Sequence, residues 1–434
     1  MPKARILLLG GNFAPEPTGI GKYNGEMLTW LCKNGYDCGV ITTYPYYPYW
    51  KIQSPFENKS YWYSCEINSI NGNQLTIYRC PHYVPKSPSG IKRLYSDLSF
   101  TISAFFRIFI LLFKSKYDVI ISVAPPFHLG LLASLYKNLK GAKFVYHIQD
   151  LQIETAKELK MINSNFLLRL MFKVEKNIMK NADFVSSISE GMIQKIRLKY
   201  SKPIIYSPNW ADVDAFFPIL NKEKLKLKFN FSPSDKIILY SGAIGEKQGL
   251  ELILHSAHII NRPGIKFVIC GSGPYKEKLH LLMKKMNVKN VLFVDLQPKE
   301  LFNEFLNAAD IHLILQKATA NDLVMPSKLA NILAIGGVAI ISAPKESILY
   351  NLISKNSIGL VVEPDNQSAL IETINFALDR VNVKIQENAR TYAENNFTLK
   401  IVLQEFIKKI LPQVKEDFSF GVKNNKEIKL NEPV

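Results

Sequence analysis

Short apolar runs alternate with segments of helical period along most of this chain. That is the pattern of repeated strand–helix–strand units, whose parallel strands are covered on both faces and so carry near-continuous apolar stretches. A first series predicts strands at Arg5–Leu9, Gly39–Thr42, Leu75–Arg79, Val119–Ser122, Lys143–His147, Phe184–Ser186 and Ile204–Tyr206. A second series begins near Lys236 and predicts strands at Ile237–Ser241, Phe267–Gly271, Val291–Val294, Ile311–Leu315 and Val338–Ser342, with amphipathic helices between them. The stretch Ser207–Ser234 separates the two series, carries Pro208, Pro218 and Pro233, and is expected to connect two domains. Tyr44–Tyr63 is rich in Tyr, Pro and Trp, lacks helical period, and is expected to form a long loop or flap. Lys415–Val434 is polar and is expected to be a disordered tail. There are no internal repeats and no low-complexity tract.

Composition sharpens this picture only at points. With 434 residues the chain fits two or three domains, given roughly 100–200 residues each. Its five cysteines, Cys32, Cys38, Cys65, Cys80 and Cys270, include no C-x-x-C pair, so free thiols are expected rather than a disulfide framework or zinc site. The opening apolar run, Ile6 to Leu9, is too short for a secretory signal and fits a first strand, which points to a cytoplasmic protein. The formal charge of +17 favours polyanions or anionic membrane surfaces. No finger, RNA-binding or basic-zipper signature accompanies it, so nucleic acid is not expected. Leu98–Phe113 is dense in Phe, Ile and Leu, is shorter than a spanning helix, contains Arg107, and is flanked by Lys86, Lys92, Arg93, Lys114 and Lys116. Two readings stand side by side for it: a helix lying in a membrane interface, or an ordinary core helix.

Candidate chemistry gathers where predicted strands end. The first loop reads GGNFAPEPTGIGKYNGEM and turns through Gly10, Gly11, Gly19 and Gly21 before a helix expected near Lys22. Glycines admit close backbone approach to a ligand, and a helix N-terminus favours an anion. The spacing is not the dinucleotide fingerprint, and no acidic residue clearly ends the second strand. A tight turn without a ligand is the plainer reading. The second series opens similarly with YSGAIGEKQGLELIL, where Gly242, Gly245 and Lys247 precede a helix expected from about Gln248. A lysine beside free N–H groups suits a diphosphate. The next strand ends in ICGSGPYKEKL, placing Gly271 and Gly273 at another strand end where ligands gather.

The stretch ANDLVMPSKLANILAIGGVAIIS is the most informative. Pro326 and Ser327 predict a helix start with Lys328 in its first turn. A cation there opposes the helix dipole, and a bound diphosphate would remove the conflict. Asn331 follows one turn later, within reach of a ribose or sugar hydroxyl, and Gly336 and Gly337 end the helix. In KFVYHIQDLQIETAKEL, His147 and Asp150 fall at a strand end and are expected to face an interdomain cleft. Asp150 and Glu154, four apart, are expected to share a helix face. His147 is a candidate to orient a substrate, Asp150 to bind or activate a hydroxyl. A buried histidine satisfied by the backbone is the alternative for the former.

Together, PEPTGIGKYNGEM, YPYYP, CPHYVP, HIQD, the SPNW turn at Ser207–Trp210, SGAIGEKQGLE and LVMPSKLANILAIGG resemble the retaining GT-B glycosyltransferases of family 4. Within that family the chain is most similar to the colanic-acid-type exopolysaccharide glycosyltransferases, over about residues 6–412. The resemblance implies an α/β protein of two facing Rossmann-like domains with an interdomain cleft. It implies an acceptor domain over 1–210, a nucleotide-sugar domain over 211–396, a helix at about 397–412 crossing back to the first domain, and a tail at 413–434. It places the flap on the acceptor side. It implies transfer of a hexose or deoxyhexose with retention, no cofactor beyond the nucleoside diphosphate sugar, and no metal. The saccharide acceptor is expected to be lipid-linked, at the inner face of the cytoplasmic membrane. The candidate residues are His147 and Asp150 for catalysis, and Gly19, Gly21, Gly242, Lys247, Gly271, Gly273, Ser327, Lys328 and Asn331 for the donor.

The chain departs from the family at two places. Ala243 stands where many members have arginine, and Leu323 and Asn331 where many have two glutamates, with Asp322 one place off. Lys247 and Lys328 must then supply the positive charge. A nucleotide-sugar 2-epimerase of the same fold, or a non-catalytic membrane- or polyanion-binding homologue, are the alternatives at this stage.

Overall fold

The computed structural model describes residues 2–17, 19–88, 90–158, 162, 164–318, 327–345, 347–380 and 382–412. Two sheets organise it. The first contains β1 (Arg5–Leu9), β2 (Asp37–Thr43), β3 (Ser64–Ile70), β4 (Asn73–Cys80), β5 (Val119–Ala124), β6 (Lys143–Ile148), β7 (Phe184–Ser187) and β8 (Ile204–Tyr206), in the order β3-β4-β2-β1-β5-β6-β7-β8. All its neighbours are parallel except β3, which runs antiparallel to β4 at the edge. The second contains β9 (Lys236–Ser241), β10 (Ile265–Cys270), β11 (Val291–Val294), β12 (Ile311–Ile314), β13 (Ala339–Ser342) and β14 (Leu360–Val362), all parallel, in the order β11-β10-β9-β12-β13-β14.

The side-chain period of two along each strand splits the first domain into two cores. Leu7 and Leu9 of β1 pack with helices Gly90–Leu112, Leu129–Lys140, Asn165–Asn181 and Glu190–Arg197 on one face. Ile6 and Leu8 pack on the other face with helix Gly19–Lys33 and helix Leu399–Ile410. The second domain divides in the same way. Ile237 and Leu239 pack toward helices Lys299–Ala308, Ser327–Ala334 and Val383–Asn396. Ile238 and Tyr240 pack toward helices Glu251–Ile259, Lys276–Lys285 and Gln367–Asp379.

The chain crosses between domains twice, at one place. Ala211 N donates to Phe397 O at 2.7 Å, and Ala211 pairs with Thr398 in an isolated bridge. Thr398 then caps helix Leu399–Ile410 by accepting from Ile401 N. That helix buries Val402, Leu403, Phe406, Ile407 and Ile410 in the first domain's core. At roughly 1.5–3 kcal/mol per buried apolar side chain, this holds the returning segment firmly.

Four expectations need correcting. The edge strand β3 was not foreseen, because SCEINSI is mostly polar and exposed. The three-residue β14 and the short helix Lys222–Lys228, inside the supposed plain connection, were also missed. Finally, no α-helix starts at Gln248: a 3-10 turn, Glu246–Gln248, is closed by Gly249 before helix Glu251–Ile259. The segment 44–63 is irregular, as its composition suggests. The proposed tail, 413–434, lies outside the described residues.

Candidate functional site

Ligands in open parallel sheets collect at the strands' C-terminal ends, where the strand order reverses. In the second sheet that point lies between β9 and β12. The loop after β9 runs beside the loop after β10: Gly242 N donates to Cys270 O and Ile244 N to Ser272 O, each at 2.9 Å. The two backbones touch so closely that a Cβ on Gly271 would lie 1.9 Å from Gly242 O, and one on Gly273 would lie 2.2 Å from Ile244 O. Both glycines have φ near +156°, which L side chains rarely adopt. The packing of two loops therefore accounts for Gly271 and Gly273 without a ligand.

Helix Ser327–Ala334 points its N-terminal end at this loop pair. Lys328 Nζ lies 3.2 Å from where a Cβ on Gly242 would sit, so glycine there leaves room for the ammonium. The ammonium sits 3.8 Å from the centroid of the Tyr240 ring, whose hydroxyl donates to Ala243 O at 2.6 Å. Lys328 Nζ is buried and has no hydrogen-bond partner among the described residues. Burial pushes its pKa down to about 7. Asn331 Oδ1, one turn along, is likewise buried and without a partner among those residues. Buried polar groups in native proteins nearly always have partners, so two orphans on one helix face suit a polar ligand. Ser327 opens the helix, but its side chain, Pro326, Leu323 and Asp322 lie outside the described residues.

Lys247 is exposed in the 3-10 turn. Its carbonyl accepts from Lys317 N at 2.9 Å, tying the loop after β9 to the chain after β12. Its charge reaches across to the first domain: burial raises the pKa of Asp150, and Lys247 is the first influence opposing that rise, followed by hydrogen bonds from Leu151 N–H and the Thr155 side chain. Asp150 therefore feels the Lys247 charge from the second domain. Glu154 does not share a helix face with Asp150, although its charge adds to the rise. Helix Gln152–Glu158 starts after Asp150, and Glu154 pairs with Lys199 at 2.6 Å.

His147 departs from its expected place in the cleft. It is 7% exposed, its Nδ1 shares a 2.8 Å hydrogen bond with Ser186 Oγ, and its ring lies 6.1 Å from that of Phe406 on the returning helix. Strand alternation explains this, because Val145 and His147 lie on the face that this helix covers. Burial pushes the His147 pKa to about 4, which keeps the imidazole neutral.

The first glycine loop also turns out to hold protein rather than to present bare backbone. Its helix starts at Gly19, earlier than Lys22. Glu16, 3% exposed, accepts from Tyr46 N and Tyr47 N at 3.0 Å each, and from Asn12 Nδ2 at 2.9 Å. A Cβ on Gly21 would lie 2.5 Å from Glu16 Oε2, and one on Gly19 would lie 3.5 Å from the Tyr47 ring. Gly21 makes room for the carboxylate that anchors the flap, and Gly19 takes a left-handed φ of +62° beside it. Burial pushes the Glu16 pKa up to about 7.

Sequence reasoning missed a cluster beside this anchor. Tyr46 lies 4.9 Å from His82 and 5.4 Å from Trp50, and the Arg93 guanidinium lies 5.0 Å from the Trp50 ring. Asp97 accepts from Gln152 at 2.9 Å, and burial pushes its pKa up to about 6. The only hint in the sequence is the density of Tyr and Pro after residue 44. Among the described residues, no three His, Cys, Asp or Glu side chains converge to hold a metal ion.

The arrangement is two sheet ends facing each other, one offering two lysines and a helix N-terminus, the other a carboxylate and an aromatic flap. It matches known proteins in both halves. Residues 18–210 match the model of a glycosyl transferase 4-like domain, and residues 221–396 that of the glycosyl transferases group 1. A colanic acid biosynthesis glycosyl transferase of Escherichia coli, WcaI, is 37% identical over 415 residues, covering 94% of this chain and 99% of that protein. Among solved structures, sucrose-phosphate synthase of Thermosynechococcus elongatus aligns with a TM-score of 0.73 at 16% identity, over 94% of this chain and 98% of its own. HepE of Anabaena, solved in complex with UDP, aligns with a TM-score of 0.65 at 13% identity, over 94% and 99%. The paired sheets, the matched domains in this order and the relative aligned along nearly its whole length lead to one conclusion: this chain belongs to the GT-B glycosyltransferases.

Proposed function

We propose that the enzyme moves a hexose or deoxyhexose from a nucleoside diphosphate sugar to a lipid-linked saccharide, with retention and without a metal ion, during synthesis of a surface polysaccharide. The Lys328 ammonium, buried and without a hydrogen-bond partner among the described residues, carries this reading. A diphosphate placed against the helix N-terminus and Lys328 would supply a counter-charge to the ammonium, and Lys247 would approach it from the cleft side. As the bond from the anomeric carbon to the diphosphate oxygen breaks, the acceptor hydroxyl oxygen bonds to the same face of that carbon. Its proton passes to the leaving diphosphate oxygen. Asp150 orients the hydroxyl, and Asn331 holds a donor hydroxyl. In this reading Gly242, Gly271 and Gly273 shape the donor loops, Ser327 starts the anion-binding helix, Gly19 and Gly21 set the flap, and His147 supports the strand end beneath Asp150.

The similarity to WcaI, a colanic acid biosynthesis protein, supports the polysaccharide context. The protein would work in the cytoplasm at the inner membrane face, with no cofactor beyond the donor. A thermal-shift screen against UDP-, GDP- and ADP-sugars tests the donor. One base should raise Tm in the wild type and fail to do so in Lys328→Met. Equal shifts in both proteins would overturn the assignment of this site.

A further inference from the structure

Helix Gly90–Leu112 is apolar on two sides. Phe100, Ala104, Ile108 and Leu111 sit in the core against the sheet. On the outer side, Tyr95, Leu98, Ile102, Phe105, Phe106, Phe109 and Ile110, followed by Phe113, stand exposed, with Phe106 54% and Phe113 79% accessible. A surface helix ordinarily turns a polar face to water. Here the spacing of three and four that should bring polar side chains outward brings aromatic and aliphatic ones. Arg107 does not break the stripe, because its guanidinium folds inward over the rings of Tyr63 and Tyr78 at 5.2 and 5.1 Å.

The patch continues beyond the helix. Tyr63 donates from its hydroxyl to Ser103 O at 3.0 Å, which brings Tyr61 and Trp62, 77% and 76% exposed, to the helix's flank. On the neighbouring helix, Leu131 and Leu139 are exposed, and Lys140 reaches the helix end by donating to Leu112 O and Lys114 O. Helices Gly90–Leu112, Leu129–Lys140 and Asn165–Asn181 lie on the same side of the first sheet, and the third exposes Phe166 and Leu170.

We propose that this face is a membrane-docking surface that lies in the interface of an anionic bilayer. Charge selects that occupant. Residues 84–116 hold six lysines and arginines against one acidic residue, and that residue, Asp97, is turned inward to Gln152. Lys86, Lys92, Arg93, Lys114 and Lys116 are exposed at the two ends of the apolar stripe, as are Arg169, Lys173, Lys176 and Lys180 on the third helix. Apolar side chains framed by cations, with Tyr and Trp at the edge, are the make-up of an interfacial element. By length and composition the stretch Lys92–Leu112 could cross a bilayer. Its inner face belongs to the protein core, so it lies along the membrane rather than through it. A second copy docked by a twofold axis would set like charges against each other.

The surface stands on its own observations, and only its purpose rests on the proposed function. The helix begins beside Arg93 and Asp97 near the flap and ends at Phe113, roughly 34 Å away by helical rise. A lipid-borne acceptor would therefore present its sugar at the Arg93 end, next to the cleft.

The experiment is flotation of the full-length enzyme with phosphatidylcholine vesicles, with and without phosphatidylglycerol. The wild type should float with the anionic vesicles, with tryptophan emission shifting to the blue in the wild type and less so in Trp62→Phe. F106N/F109N should lose roughly tenfold or more of the partitioning, with an unchanged thermal melt. K114Q/K116Q should lose part of it and weaken its salt dependence. L281N, at an exposed leucine of the second domain, should bind like the wild type. Equal flotation of the wild type and F106N/F109N would overturn the proposal. So would a wild-type dimer that F106N/F109N splits while neither protein floats. Donor-induced melting shifts are read on the same proteins. Vesicle binding without a donor response would remove the proposed function and leave the surface, and the reverse would remove the surface alone.

Discussion

The two domains share an architecture but carry their chemistry differently. The second concentrates it in a few backbone-dictated positions: Gly242 leaves space, the helix at Ser327 offers its N-terminus, and Lys328 and Lys247 add charge. The first spreads its site over side chains far apart in sequence. Glu16 holds residues 46 and 47, Asp97 meets Gln152, and Asp150 follows β6 under the influence of Lys247 and of hydrogen bonds from Leu151 and Thr155. A diphosphate is met by dipoles and cations at a strand end, a need that many sequences meet with the same short pattern. A sugar acceptor is met by shape and by hydroxyl partners drawn from loops, which leave no fixed spacing.

The largest expected effect tests the donor half. Lys328→Met removes the buried cation and should lower kcat/KM by roughly 10²–10³. Calorimetric titration should show donor affinity falling in parallel. A loss below about threefold would place the diphosphate elsewhere. Asp150→Asn tests the other half. It should lower kcat by roughly 10² while donor affinity stays within about threefold. If donor binding weakened as much as it does in Lys328→Met, the division between the domains would fail.

Glu16→Ala comes next. It leaves two backbone N–H groups and the Asn12 amide without their shared acceptor, at a cost of about 1–3 kcal/mol. Denaturant unfolding should show that loss, and acceptor KM should rise while donor affinity holds. Faster proteolysis within residues 44–63 would confirm that the flap hangs on this carboxylate. Unchanged cleavage would show another anchor.

How much of this could be read from the sequence follows the same divide. Parallel strands were legible because both faces are buried, so their apolar runs stand out. β3 was not, since an edge strand with one exposed face reads as loop. Lys328 announced itself through a local conflict, a cation at a helix start, and the structure shows its ammonium buried with no hydrogen-bond partner among the described residues. Gly19, Gly21, Gly271 and Gly273 were visible as glycines but not for their reason. Only the structure shows the left-handed φ of +62° at Gly19, and Glu16 or a neighbouring backbone in the space a Cβ would fill at the other three. His147 was misplaced because alternation says that it leaves the sheet on one side or the other. It does not say which side the returning helix covers, more than 250 residues later.

The finest test is a dependence on pH that separates the halves without changing any contact. Burial lowers the Lys328 pKa from 10.5 to about 7, so between those values the unfolded chain holds a proton that the unliganded folded protein does not. Stability of the unliganded enzyme should therefore rise with pH across that window, by at most about 1.4 kcal/mol per unit, and Lys328→Met should lack this rise. A diphosphate reverses the preference by favouring the ammonium. Donor affinity should then fall as pH climbs above about 7, by up to about tenfold per unit, while the variant's weak affinity stays flat. Acceptor KM should not follow this profile, because Lys328 lies wholly on the donor side. Parallel wild-type and variant profiles would show that the ammonium keeps its charge without the donor, and that Tyr240 alone satisfies it.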